Sequence, residues 1–290
     1  MSDKLSSLIL DFACRIAQEA GAKAILIYAD LCREADLADC WKSECKIILV
    51  TRLGSPVPDK FGEKGLFISI PQVNFTRMGE VKLAITKGIA AGLLSKGDKV
   101  VCLTGVPKLG YIDTVLLIDV GKEFEILTSD FITGILESVQ PEVFDAVLNI
   151  ALELGAQGRE GRPVGTIFVL GDHEKVLQLS KQMIINPFKG YAEEERNVLN
   201  PHLAETIKEF SALDGAFVIK ENGVLVSAGT YLSAGLESKE FPKGLGSRHI
   251  AAAGITGATN AIAMVISEST GAVRVFKKGK VFVSIEKPLE

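Results

Sequence analysis

Five short apolar runs constrain the first half of this chain most. They are Ala24-Ile25-Leu26-Ile27-Tyr28, Ile47-Ile48-Leu49-Val50, Leu66-Phe67-Ile68-Ser69-Ile70, Val100-Val101-Cys102-Leu103 and Val115-Leu116-Leu117-Ile118. Each has the length of a strand, and a strand apolar on both faces has to be covered on both. Helical patterns lie between them. Leu8, Ile9, Phe12, Ala13 and Ile16 recur at helical spacing before the first run, and residues 79–94 form a second pattern with Lys96-Gly97 as its stop. The alternation predicts an α/β domain over residues 1–120, a mostly parallel sheet with helices on both faces.

A composition shift separates this domain from the next. Cys14, Cys32, Cys40, Cys45 and Cys102 precede residue 103, whereas His173, His202 and His249 all follow residue 172. An odd cysteine count without CxxC spacing argues against a disulfide framework and a structural zinc site. Residues 121–140 read as the junction, and Val139-Gln140-Pro141 starts a helix that runs to about residue 154. A Gly- and charge-rich loop over 155–163 leads to a strand at 165–170, ending at Gly171-Asp172, where a helix can be capped. Asn186-Pro187-Phe188 breaks the chain, and another helix is expected over 201–211. This second domain, 125–287, is expected to be a mixed sheet flanked by helices.

With 32 Lys and Arg against 36 Asp and Glu, the net charge is −4, so no basic field recruits nucleic acid. Any polyanion must be gripped locally, which fits a nucleotide better than a duplex. No apolar run approaches the roughly 20 residues of a membrane span, and the first residues lack the apolar core of a signal peptide. The expected location is cytoplasmic, with neither membrane nor nucleic acid as partner.

Three elements carry chemistry. Asp214-Gly215-Ala216 leads into the strand Phe217-Val218-Ile219, and Glu221-Asn222-Gly223 then turns into a second strand over 223–227. An Asp before a Gly also serves as a plain turn cap. Next comes Gly244-Leu245-Gly246-Ser247-Arg248-His249-Ile250-Ala251-Ala252-Ala253. Glycines before a helix leave its first N–H groups facing outward, where an anion gains from them and from the dipole. Ser247 offers a hydroxyl at the N-cap and Arg248 a fork matched to phosphate. The alanines let a base or a neighbouring chain approach. An ordinary capped helix with Arg248 and His249 in solvent would look the same. The third element, Ser267-Glu268, closes an apolar strand over 261–266; a carboxylate at a strand end lies either in a cleft or on the surface.

In this order and spacing the three elements resemble the diadenylate cyclase family, whose DisA N-terminal (DAC) domain carries an Asp-Gly-Ala element, an Arg-His element before alanines, and a Ser-Glu after the next strand. The first domain resembles the C-terminal domain of pyruvate kinases through Lys96-Gly97-Asp98-Lys99-Val100-Val101 and Thr104-Gly105-Val106-Pro107. That domain is regulatory in pyruvate kinases, and the phosphate loop GxxxxGK[ST] is missing here, so the resemblance implies a scaffold or oligomerisation module. Together the two domains resemble the archaeal type of this cyclase. The chain departs from the family at Ser247 for Thr, at Ile250 for a second Arg, and at Leu213, where some members have His.

The resemblance implies condensation of two ATP into cyclic di-AMP and two pyrophosphates. It implies a homo-oligomer whose half-sites meet face to face. Asp214, Arg248 and His249 are the implied catalytic residues. Gly215, Ala216, Leu232, Gly246, Ser247, Arg248, His249, Ile250, Ala251 and Ser267 are the implied ATP-binding residues. Asp214 and Glu268 are the implied ligands of Mn²⁺ or Mg²⁺. A nucleotide sensor without turnover, or a scaffold, would be the alternatives.

Overall fold

The computed structural model describes residues 2–31, 45–55, 66–105, 111–122, 139–234 and 246–286. The chain divides into two compact units, Met1–Thr128 and Ser129–Glu290. Cys32, Cys40, Val106-Pro107, most of the predicted junction, and Gly244-Leu245 lie outside the described residues.

In the first unit α1 (Ser2–Ala20) precedes β1 (Ala24–Tyr28), β2 (Lys46–Arg52), β3 (Leu66–Ile70), α2 (Arg77–Ala90), β4 (Lys99–Thr104) and β5 (Thr114–Asp119). The five apolar runs are the five strands, in the order β3-β2-β1-β4-β5. Pairings are parallel except for β5, which is antiparallel to β4 at one edge. The central β1 is buried along its whole length, as an apolar run covered on both sides requires. Two details differ from the sequence pattern. On α1 the buried face is Ser6, Leu10, Ala13 and Ala17, while Leu8, Phe12 and Ile16 are exposed. The helix packs on β1 and β4, and the alanines allow that approach. Helix α2 also ends earlier than residue 94: the chain turns at Gly92, and the N–H groups of Leu93 and Leu94 return to the Gly88 carbonyl.

The second unit starts with α3 (Pro141–Gln157), its Pro at the first helical turn, where a missing N–H costs nothing. There follow β6 (Ile167–Leu170), α4 (His173–Gln178), β7 (Ser180–Gln182), α5 (Leu203–Phe210), β8 (Ala216–Ile219) and β9 (Leu225–Leu232). Then come α6 (Ser247–Ala258), β10 (Ile262–Ile266), β11 (Val273–Lys277) and β12 (Lys280–Ile285). They form a seven-stranded mixed sheet, β12-β11-β10-β6-β8-β9-β7, in which β6 and β8 are parallel and the other pairs antiparallel. Asp172 stands at the start of α4 but makes no side-chain cap; its carboxylate accepts from the N–H of Asn260 at 2.8 Å.

Helix α6 lies on this sheet. Ala252, Ala253 and Ile255 pack with Val169, Ala216, Val218, Ala263, Val265 and Phe276 in one cluster. Ala252 and Ala253 are fully buried, so they bring the helix backbone onto the strands instead of receiving a ligand. The close seat places the N-terminus of α6 beside the ends of β6, β8 and β10.

Candidate active site

Two hollows flank the start of α6. One, of about 130 Å³, is lined by Asp214, Gly215, Ala216, Leu232 and Ala251, with Ile167, Met183 and Tyr231 at its walls. The other, of about 550 Å³, is lined by Gly246, His249, Ser267, Glu268, Thr270 and Arg274. Ser247 and Arg248 line both. The smaller is walled mainly by apolar side chains and backbone; the larger gathers hydroxyls, guanidinium groups and the helix N-terminus.

Arg248 ties the three sequence elements together. Its Nη1 donates to Glu268 Oε2 at 2.9 Å, and its Nη2 lies 3.9 Å from Asp214 Oδ1. Asp214 is highly exposed at the lip of the smaller hollow, its Oδ1 accepting from the N–H of Gly215 at 3.0 Å. Gly215 has φ +107°. A Cβ there would meet the backbone of Gly229 and Thr230 at 2.7 Å, so the glycine lets the start of β8 cross against β9. Gly165 plays the corresponding part on the other side. A Cβ on it would lie 2.8 Å from Arg248 Nη1 and 2.9 Å from Glu268 Cβ, the space those two side chains use.

The helix start differs from the expected cap. Gly246 is the N-cap residue, in extended conformation with no side-chain cap, and Ser247 is the first helical residue. The Ser247 hydroxyl therefore does not close the helix. The N–H of His249 turns back to the Gly246 carbonyl at 3.0 Å, while those of Ser247 and Arg248 have no backbone acceptor among the described residues, which leaves donors and the positive end of the dipole at the point the two hollows share.

His249 is buried behind this point, its ring 6.1 Å from that of Phe276. Its Nε2 lies 2.8 Å from Arg274 Nη1. A guanidinium has no acceptor, so Nε2 must accept and the ring proton sits on Nδ1. Burial, with the charges of Arg274 and then Arg248, pushes the imidazole down to about 4. It is neutral near pH 7 and presents an N–H donor. Ser267 is buried at the end of β10, its hydroxyl 3.3 Å from that of Ser269. Ile250 is exposed and lines neither hollow.

The motif pattern does not single out Gly165, Thr270 or Arg274. The last stands on β11, in a hairpin with β12 turned at Lys278-Gly279, both at positive φ. A Gly-containing turn between alternating apolar residues was the signal that could have found that hairpin. Among the described residues no three His, Cys, Asp or Glu side chains cluster as a metal site. Asp214 and Glu268 both lean on Arg248, so a divalent ion fits here only with phosphate oxygens completing its shell.

The family described as "DisA bacterial checkpoint controller nucleotide-binding" matches residues 153–281, and "Probable sensor domain DacZ_P" matches residues 5–128. A diadenylate cyclase of Methanocaldococcus jannaschii is 39% identical over 202 residues, 69% of this chain and 64% of its own length. One of Haloferax volcanii is 34% identical over 229 residues, 79% of this chain and 83% of its own. The crystal structure of DacA from Staphylococcus aureus aligns with a TM-score of 0.33 at 22% identity, over 50% of this chain and 86% of that one. Among the described residues no helix is long and apolar enough to cross a membrane.

Proposed function

Since the chain belongs to the diadenylate cyclase family, a family of nucleotidyltransferases, we propose that its second unit condenses two ATP molecules into cyclic di-AMP and two pyrophosphates. The observation that carries this reading is the pair of hollows, one mainly apolar and one cationic, meeting at Ser247 and Arg248. A nucleotide is built the same way: an apolar base at one end, a polyanion at the other. Leu232, Ala216 and Ala251 take the adenine side; Gly215 keeps β9 close beneath it. Ser247, Arg248, His249 and the α6 N-terminus, with Gly246 leaving them uncovered, take the phosphates. The α-phosphate then lies at the junction.

In the reaction the 3′-oxygen of one ATP forms a bond to the α-phosphorus of the other. The bond from that phosphorus to the bridging oxygen breaks, and pyrophosphate leaves. Asp214, at the lip, accepts the proton of the attacking hydroxyl. Arg248 and the N–H donors stabilise the charge gathering on the leaving group, His249 acting through its Nδ1–H as a neutral donor. Ser267 adds a hydroxyl to the same wall. A divalent ion held by Asp214, Glu268 and the triphosphate would supply Lewis acidity at the phosphoryl oxygens. With His249 Nε2 turned to Arg274, the donors are oxygens alone, which suits Mg²⁺ as well as Mn²⁺. Ile250 has no role in this scheme. One half-site holds one ATP, so the two-fold product requires two copies facing each other. For the first unit we propose a regulatory or assembly role, and for the whole chain a cytoplasmic location, where ATP is at hand.

Incubating the full chain with ATP and Mg²⁺ or Mn²⁺, with products identified by mass, tests the reading. Cyclic di-AMP is expected from the wild type. Asp214→Asn should fall by two or more orders of magnitude, on the order of a lost general base, with unchanged folding. A full-rate Asp214→Asn would remove the residue from the scheme. ATP binding without product would turn the reading to a sensor.

A further inference from the structure

We propose that Arg274 is a second phosphate-binding cation of this site, one that receives the outer phosphates of ATP and the departing pyrophosphate. The proposal rests on the reading of the two hollows given above. Arg274 stands on β11, opposite Val265 of β10, and lines the larger hollow, away from the Asp214 side. The two guanidinium groups of that hollow are committed differently. Arg248 is held by Glu268 at 2.9 Å and lies near Asp214. Arg274 has no carboxylate partner among the described residues; the contact it makes is with the Nε2 of His249, a neutral acceptor.

A half-buried guanidinium without a counter-charge is costly in a folded protein, and arginines in such places are ordinarily paired. No acid among the described residues supplies that counter-charge, and an anion entering the hollow would. One of its five N–H groups goes to His249, which leaves the rest of the fork for oxygens. Around it stand the hydroxyls of Ser267 and Thr270, the buried N–H of His249 Nδ1, which has no partner among the described residues, and the α6 start. Those are donors, and donors around a cation that no described carboxylate answers recognise an oxyanion of high charge. The position selects which one. With the base in the smaller hollow and the α-phosphate at Ser247 and Arg248, the β- and γ-phosphates extend toward Arg274.

The test is binding of inorganic pyrophosphate, and separately of AMP, to the full chain by calorimetry at fixed Mg²⁺, for wild type, Arg274→Ala and Arg274→Lys. Arg274→Ala is expected to weaken pyrophosphate at least tenfold, to leave AMP within twofold and to keep the thermal midpoint. Arg274→Lys should recover part of the pyrophosphate affinity, since it restores charge without the fork. Equal loss of AMP and pyrophosphate, together with a lower midpoint, would mean a structural arginine and would overturn the proposal. Unchanged pyrophosphate binding in Arg274→Ala, beside a wild type that makes cyclic di-AMP, would overturn it while leaving the proposed function intact. A wild type that binds neither ligand would overturn both.

Discussion

The two units each hold a strand-borne arginine, Arg52 on β2 and Arg274 on β11, and answer its charge in opposite ways. In the first, Arg52 closes β2 with its Nη2 2.6 Å from Glu80, its Nε 3.4 Å from Asp30 and its Nη1 2.8 Å from the Val73 carbonyl. Arg77, opening α2, meets Asp113 at 2.8 Å. Both guanidinium groups are answered by carboxylates. In the second unit Arg274 rests on a neutral imidazole and the start of α6 is left without a side-chain cap. The helix starts differ too, since Thr76 Oγ1 accepts the N–H of Gly79 at 2.9 Å and closes α2. A region that satisfies its own donors and charges gains stability and has nothing left for a ligand. A region that leaves them open gives up stability and gains a binding site.

The largest expected effect is on the balanced side. Glu80 is almost fully buried, and burial pushes its carboxyl up although Arg52 beside it pulls the other way. Glu80→Ala removes the nearer and more buried of the two carboxylates on Arg52, leaving Asp30 at 3.4 Å, and should cost the first unit about 3 kcal/mol. Hydrogen exchange of the β2 amides reads that loss, and exchange at wild-type rates would show that the balance contributes nothing.

His249 provides the next test. Its ordinary value is 6.5 and in the folded chain it is pushed down to about 4. Between these the unfolded chain binds the proton and the folded chain does not, so stability falls as pH drops below 6.5 and the loss is complete below about 4. The whole span amounts to about 3 kcal/mol. Denaturation at pH 7 and pH 4.5 should show a smaller drop for His249→Gln than for wild type; equal drops would mean that the imidazole does not pay for its burial.

The smallest effects are the sharpest for the comparison. Thr76→Ala should destabilise by about 1 kcal/mol and leave ATP affinity alone. Gly246→Ser supplies the missing cap. It should stabilise by no more than about 0.5 kcal/mol while weakening ATP binding several-fold, because the new hydroxyl takes a donor meant for phosphate. Opposite signs for stability and binding in Gly246→Ser would establish the trade; a variant that bound ATP as before would dissolve it.

The strands of the first unit were legible because continuous apolar runs such as residues 24–28 and 100–103 have one stable use, inside a doubly covered sheet. The face of α1 was not: Leu8, Phe12 and Ile16 repeat at helical spacing, yet it is Leu10, Ala13 and Ala17 that meet the sheet. A helix with apolar residues on two sides is oriented by the surface it lands on. Of the site, Asp214, Ser247, Arg248 and Glu268 could be found from short motifs, since each sits at the end of a predictable element. Arg274 could not, being one cation in a strand whose neighbours are known only once β11 pairs with β10.

By itself, then, the sequence determined which segments become strands and helices and which residues stand at their ends, because backbone preference and apolar periodicity act within a few residues. Tertiary structure alone decided that Arg248 would join Asp214 to Glu268, that Gly165 would leave room for that pair, and that Arg274 would face His249. Those relations depend on strand register and on how closely α6 packs, and both are set by the summed burial of residues far apart in the chain.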